Sequence, residues 1–150
     1  MQIQDFLEPS AIRLDLGGST REAVLQEMVA LLSLQPRASE ALVHLALRRE
    51  QLGSTGFGLG IAIPHARSLV VHRLRLAFGR HPAGIEYAAM DRAPVRVFFL
   101  IVAPPHEVSN QYLPILGKVA QLCQHPGVPA RLANLPDPAA LFALLNEYGL

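Results

Sequence analysis

The chain has 150 residues, of which 51% are hydrophobic and 17% are charged, and its formal net charge is +1. This composition excludes an intrinsically disordered chain, and the near-neutral charge gives no support to generic nucleic-acid binding. The single cysteine, Cys123, excludes an internal disulfide and a multi-cysteine zinc site.

Length and hydropathy predict one domain without membrane insertion. A chain of this length is expected to form a single domain over residues 1–150. The N-terminus has no charged-then-apolar signal, and the longest apolar run, residues 97–103, has the length of a strand rather than of a membrane span. We therefore expect a cytoplasmic protein.

The first third of the chain predicts one short strand and two helices. Alternating apolar residues over 12–16 indicate a strand. Ser19 and Glu22 have the spacing of a capping box, so the first helix is predicted to begin after Ser19 as its N-cap. A second helix is predicted from about Ser39 to Gly53, which is a favourable residue at a helix C-terminus.

The middle of the chain predicts the sheet. Glycines between residues 53 and 60 favour an extended backbone over a helix, and the proline before His65 biases the preceding residue in the same direction, so His65 is expected at a strand end. Alternation over 73–80 predicts a half-buried strand. Residues 82–94 are predicted as a loop with a short strand at about 85–87. The apolar run 95–102 predicts a central strand buried on both faces.

The last third predicts helices. One is expected to begin near Ser109 or Asn110, or nearer Gln111 if Pro114 is to lie within the first turn. A final helix is predicted with Asp137 as its N-cap, followed by a proline at its first position. Helices arranged around a mainly central sheet predict an α/β or α+β fold.

The stretch 48–67 has the chemistry of a phosphoryl site. Its glycines let backbone N–H groups approach an anion, and Arg49 offers a planar donor fork with a permanent charge. His65 is a usable neutral nucleophile near pH 7. A second interpretation of Arg48 and Arg49 is that they offset the helix dipole in the last turn.

The other polar residues near this stretch and the remaining histidines can also be interpreted as structural. Ser54 and Thr55 are turn formers or hydroxyl donors to a bound anion. Five further histidines are interpreted as surface or capping residues, and none has the spacing of a zinc site, so no metal or cofactor is predicted. These histidines are His44, His72, His81, His106 and His125.

Three segments together resemble the active-site stretch of enzyme IIA domains of the bacterial phosphotransferase system. They are Arg49-Glu50, Gly53-Ser54-Thr55-Gly56 and Gly60-Ile61-Ala62-Ile63-Pro64-His65. The resemblance is to the mannitol/fructose class and its nitrogen-regulatory relatives, and it continues through residues 91–95 and 100–104. It implies an α/β fold with a mixed central sheet of about five strands flanked by helices on both faces.

The same resemblance implies a phosphocarrier. His65 is the implied acceptor, through Nε2, of a phosphoryl group from the carrier protein HPr or its nitrogen-branch counterpart. Arg49 is implied to offset the phosphoryl charge, with the hydroxyls of Ser54 and Thr55 completing the cradle. Arg67 either joins this cradle or is merely solvated. The group then passes to a IIB permease component, or it is retained as a regulatory state that acts on a regulated target protein.

Many members carry a second histidine at the start of the helix after the central strand, and the aligned position here is Tyr112. A tyrosine donates one hydrogen bond but brings no positive charge at neutral pH. Three hypotheses therefore stay open. They are a regulatory phosphocarrier, favoured because no IIB or IIC segment is attached, a sugar-specific transport IIA, and a binding module that has lost phosphotransfer.

Overall fold

The computed structural model describes residues 1–106 and 110–150, and of residue 57 it describes the backbone alone. The strands are β1 (Leu7–Arg13), β2 (Gly56–Gly58), β3 (Ile61–Ala62), β4 (His65–Arg67), β5 (Arg75–Ile85) and β6 (Val95–Ala103). The helices are α1 (Arg21–Ala30), α2 (Pro36–Leu52), α3 (Tyr112–Gln124), α4 (Val128–Ala133) and α5 (Pro138–Glu147), and a 3-10 turn at Ile3–Phe6 precedes β1.

The strands form one mixed sheet in the order β1-β5-β6-β3-β2, with β4 also paired to β6. Strands β5 and β6 are antiparallel, whereas β1 runs parallel to β5. Strands β3 and β4 both run parallel to β6, Ile61 opposite Val97 and His65 opposite Ile101. They are therefore two pieces of one strand position, interrupted around Pro64. The sheet has five positions, as predicted.

Strand β6 is the central strand, and every residue of it except Arg96 is buried. Consecutive side chains of a strand point to opposite faces, so this burial requires cover on both faces of the sheet. Helices supply it, with α3 and α4 packed on β6, and α1 and α4 packed on β5. The predicted central strand and the predicted helices on both faces are confirmed.

Strand β5 is longer and more buried than predicted. It runs to Ile85 instead of ending near residue 80, and four consecutive residues, 76–79, are buried. The alternating pattern failed here because β5 lies between two other strands and is covered on both faces. The register shifts between Arg80 and Ile85, which accommodates Pro82 without a ladder hydrogen bond. The loop predicted over 82–94 is therefore wrong for residues 82–85 and confirmed for residues 86–94, which lie between β5 and β6. The separate strand predicted at about 85–87 is absent from the described structure.

The first two helices begin at residues other than those predicted. Thr20, rather than Ser19, caps α1, because its hydroxyl accepts the Ala23 N–H at 3.1 Å. Helix α2 begins at Pro36, three residues before Ser39, since proline is favourable at the first helical position. The first strand, β1, ends at Arg13, so it overlaps the strand predicted over residues 12–16 at only its first two residues.

The C-terminal helices agree with their signals. Gln111 is the N-cap position of α3, and Ser109, the other predicted start, lies outside the described residues. Asp137 caps α5 by accepting the Ala140 N–H at 2.9 Å. Across residues 1–106 and 110–150, none of the helices has the length and apolar character needed to cross a membrane.

The interpretation of His81 as a surface or capping residue is wrong. Its side chain is buried, and its Nε2 atom lies 2.8 Å from the Gly18 carbonyl oxygen. The other ring nitrogen, Nδ1, accepts the Gly84 N–H at 3.0 Å. The imidazole thus satisfies two backbone groups at the irregular end of β5, where ladder pairing is interrupted.

Candidate functional site

His65 lies at the break between β3 and β4 and is the first residue of β4. Its imidazole is half-buried, and Nδ1 lies 2.7 Å from the carbonyl oxygen of Ile63. A carbonyl oxygen only accepts hydrogen bonds, so Nδ1 carries the proton and donates it. The neutral ring then has its lone pair on Nε2. Proline at position 64 favours extended backbone at Ile63, which helps to fix the direction of the accepting carbonyl.

His65 opens into a cavity of about 390 Å³ formed between α2, β4 and the start of α3. Its walls combine apolar side chains with two guanidinium groups, and one of the apolar residues, Leu113, is 68% exposed. The lining residues are Leu45, Arg49, His65, Ala66, Arg67, Tyr112, Leu113 and Leu116. A cavity of this kind suits a small anion held against an apolar rim.

The two arginines reach the cavity from different elements. Arg49, in the last turn of α2, donates from Nη1 to the Gly53 carbonyl at 2.7 Å. Arg67, at the end of β4, donates from Nη1 to the Pro104 carbonyl at 3.2 Å. Its guanidinium lies 4.5 Å from the centre of the Tyr112 ring, a cation–π contact. Arg67 thus lines the cavity and is also exposed to solvent.

Tyr112 lies beside His65. The two ring centroids are 6.3 Å apart and the rings are tilted by 51°. Tyr112 is buried at the first position of α3, and the Arg67 guanidinium lies over its ring.

Ser54 and Thr55 are not among the described residues that line the cavity. The Ser54 hydroxyl donates to the Tyr87 carbonyl at 2.8 Å, and the Thr55 hydroxyl donates to the Glu50 carboxylate. The two hydroxyls therefore satisfy acceptors elsewhere in the fold, one in the segment after β5 and the other in the last turn of α2. The sequence offered a turn-forming role and an anion-binding role for these two residues, but it could not predict which way the hydroxyls point.

One buried carboxylate, that of Glu50 next to Arg49, was not predicted from the sequence. Glu50 is 2% exposed and is hydrogen-bonded by Thr55 and by the Tyr87 hydroxyl, the latter at 2.9 Å. Burial, together with the adjacent Glu50 charge, raises the pKa of the Tyr87 hydroxyl above its usual range. A signal was present, because residues 42, 46 and 50 fall on the one face of α2 that is buried.

The site offers no ligand set for a metal. No group of three or more His, Cys, Asp or Glu side chains with metal-binding geometry occurs in the part of the chain that the structure describes. The groups that converge on the cavity are one imidazole and two guanidinium groups, which suit an anion rather than a cation.

Comparison with known proteins gives a consistent result. A family model described as the phosphoenolpyruvate-dependent sugar phosphotransferase system, EIIA 2, matches residues 5–148. A nitrogen regulatory protein of Bradyrhizobium diazoefficiens is 30% identical over 146 residues, which cover 97% of this chain and 95% of that protein. The fructose-specific EIIABC component of the phosphotransferase system of Bacillus subtilis is 30% identical over 150 residues, 99% of this chain. The chain spans only 24% of that longer protein.

A solved structure supports the same likeness. The crystal structure of the nitrogen regulatory protein IIA-Ntr from Neisseria meningitidis superimposes with a TM-score of 0.86 at 27% sequence identity. The match covers 95% of this chain and 98% of that one.

Proposed function

The chain belongs to the EIIA type-2 family of the phosphoenolpyruvate-dependent sugar phosphotransferase system, and from this membership we propose that it is a phosphocarrier that accepts a phosphoryl group on Nε2 of His65. The observation that carries the proposal is the 2.7 Å contact between His65 Nδ1 and the Ile63 carbonyl. It holds the proton on Nδ1 and leaves Nε2 as the nucleophile facing the cavity.

The reaction is an in-line transfer between two imidazoles. The P–N bond of the donor's phosphohistidine breaks as a new P–N bond to Nε2 of His65 forms, and the donor's nitrogen takes back its electron pair. The transferred group spreads negative charge over its three oxygens, so catalysis consists of positioning and charge stabilisation. Arg49 and Arg67, which line the same cavity as His65, supply that positive charge. No cofactor or metal takes part.

The proposed donor is an HPr-like histidine phosphocarrier, of the sugar branch or of the nitrogen branch, and the reaction is placed in the cytoplasm. Such a donor presents its own histidine, so the acceptor must lie in an open site. The exposed Leu113 on the rim of the cavity is consistent with contact to another protein.

We favour a regulatory role over sugar transport. The likeness to IIA-Ntr and to a nitrogen regulatory protein supports a protein whose phosphorylation state is read by a partner. The second candidate is a transport IIA that passes the group to a IIB permease component, which the fructose-specific relative supports. A binding module that has lost phosphotransfer is the third candidate, because Tyr112 replaces a second histidine.

Intact-mass analysis after incubation with phosphoenolpyruvate, enzyme I and an HPr-like carrier tests the proposal. We expect an acid-labile gain of about 80 Da, the mass of one phosphoryl group on an imidazole. The gain should disappear in His65→Ala and persist in His44→Ala, which removes an exposed histidine from the middle of α2. Absence of the gain with carriers of both branches would leave only the binding module.

Transfer onward separates the remaining candidates. Phosphorylated protein mixed with a fructose-type IIB component should keep its phosphoryl group for the lifetime of the phosphohistidine if the role is regulatory. Rapid loss of the group to IIB would instead establish the transport role.

A further inference from the structure

The Glu50 carboxylate is a polar group that the transfer step does not use. It is buried in the last turn of α2, where it accepts the Thr55 N–H at 2.8 Å, the Thr55 hydroxyl, and the Tyr87 hydroxyl at 2.9 Å. A carboxylate is costly to bury unless several donors satisfy it. Three donors converge here, so Glu50 anchors Thr55 firmly to the end of α2.

A continuous run of hydrogen bonds leads from this carboxylate to His65. The Thr55 carbonyl accepts the Ile63 N–H at 3.2 Å. The Ile63 carbonyl in turn accepts the proton of His65 Nδ1 at 2.7 Å. Ile63 is thus held on its N-terminal side by Thr55 and on its C-terminal side by the proline that follows it, which limits its backbone to extended geometry. Displacement of Thr55 would redirect the carbonyl on which the His65 tautomer depends.

We propose that Glu50 is a positioning residue that fixes the tautomer of His65 through Thr55 and Ile63. Its catalytic consequence rests on the proposed phosphoryl transfer, since only the Nδ1–H tautomer has a free lone pair on Nε2. The tautomer itself is a property of this chain alone and is measurable without any partner. A merely structural role for Glu50 would change the stability of the protein and leave the imidazole as it is.

The first test is Glu50→Gln in the full chain. The side-chain amide has nearly the same shape but offers one acceptor oxygen and one NH₂ group, so a donor of Thr55 or Tyr87 meets another donor. Ring ¹⁵N chemical shifts of histidine-labelled protein, with the His65 signals assigned from their absence in His65→Ala, report where the proton lies. We expect the wild type to show the Nδ1–H form, and Glu50→Gln to show a shift toward the Nε2–H form.

Glu40→Gln is the matched control, because it makes the same substitution on the same helix at an exposed position. Its His65 signals should equal those of the wild type. Tyr87→Phe provides a second break that is milder for folding, since the ring keeps its edge-to-face contact with Phe98, whose centroid is 5.4 Å away. It removes one donor from Glu50 and should move the His65 signals in the same direction by a smaller amount.

The transfer rate gives the second readout. We expect the rate of phosphoryl acceptance in Glu50→Gln to fall about ten- to a hundredfold, by analogy with the loss of groups that orient metal-binding histidines. The KM for the phosphocarrier should stay unchanged, because Glu50 is buried and is not among the described residues that line the cavity.

The outcomes separate this inference from the proposed function. Unchanged His65 signals in Tyr87→Phe, together with unchanged signals or loss of the fold in Glu50→Gln, mean that Glu50 serves stability only and overturn the inference. A shifted tautomer in a protein whose wild type accepts no phosphoryl group would overturn the proposed function and leave the positioning role intact.

Discussion

The ring of Tyr112 lies 6.3 Å from that of His65, where the family resemblance implies a second histidine. A phenol carries no positive charge near neutral pH, whereas an imidazole does when protonated. The guanidinium of Arg67 lies against the same ring and carries a positive charge. The positive charge that the tyrosine lacks is therefore supplied by the arginine that stacks on it.

Arg49 and its neighbour Arg48 provide a direct test of the charge argument. Arg49 lines the cavity, whereas Arg48 is exposed on α2 and does not line it. We expect Arg49→Gln to lower the rate of phosphoryl acceptance by about a hundredfold, as when one donor to a developing oxyanion is lost. Arg48→Gln, which has the same effect on net charge, should leave the rate near that of the wild type. Equal losses in both variants would point to long-range attraction of the donor instead.

The contribution of Tyr112 is tested by separating its ring from its hydroxyl. Tyr112→Phe keeps a ring face for Arg67, whereas Tyr112→Leu does not. We expect phenylalanine to retain the transfer rate and leucine to lower it about two- to fivefold, equivalent to the ~0.5–1 kcal/mol of an exposed cation–π contact. Rates of phosphoryl acceptance measured by quenched intact-mass analysis would show this difference. Loss of activity in the phenylalanine variant would assign the effect to the hydroxyl.

At the scale of elements, the sequence predicted β6 well and β5 poorly for the same physical reason. Both strands are buried on two faces, but only β6 shows this as a continuous apolar run. In β5, the arginines near each end produce the alternating polar and apolar pattern of a half-exposed strand. Arg80, however, turns inward and donates to the carbonyls of Leu14 and Leu135. A polar residue satisfied by distant backbone cannot be recognised from its neighbours in the sequence.

At the candidate site, too, the sequence predicted which residues lie together but not where every side chain points. Arg49 and His65 were predicted to lie together because the motif that contains them has a specific order and spacing. The hydroxyls of Ser54 and Thr55 belong to the same motif but point away from the cavity, toward Tyr87 and Glu50. Their direction depends on partners up to 33 residues away in the chain, and local patterns do not carry that information.

Substitution of two glycines by alanine tests how closely α1 packs on β5. A Cβ at Gly79 would collide with the side chains of Met28 and Leu16, whereas a Cβ at Gly117, within α3, would meet nothing within 4 Å. We expect Gly79→Ala to lower the free energy of unfolding by about 1–3 kcal/mol through overpacking. Gly117→Ala should raise it by about 0.5–1 kcal/mol, because alanine favours the helix.

Urea unfolding followed by circular dichroism measures both changes. The expected result is a pair of shifts of opposite sign in the unfolding midpoint. A stabilised Gly79→Ala variant would mean that the ends of Met28 and Leu16 move aside without cost, and that α1 is less tightly packed than its buried contacts indicate.

For the molecule as a whole, burial of acidic hydroxyl and thiol groups limits stability at high pH. Burial raises the pKa of the Cys123 thiol to about 12, and burial with the nearby Glu50 charge raises that of the Tyr87 hydroxyl. The unfolded chain releases both protons near the ordinary values, about 8.5 for cysteine and 10 for tyrosine, while the folded chain keeps them. The folded state therefore binds more protons, and stability falls as pH rises.

We expect these two groups to leave the free energy of unfolding unchanged below about pH 8. Above its unfolded-state pKa, each group should lower the free energy of unfolding by about 1.4 kcal/mol per pH unit. Urea unfolding at pH 7, 9, 10 and 10.5 measures the slope. Cys123→Ala should flatten the decline between pH 9 and 10, and Tyr87→Phe should flatten it only above pH 10. The two groups lie on different elements, α3 and the segment after β5, so their effects should add in the double variant. A slope that neither variant changes would show that other groups control the alkaline limit of the fold.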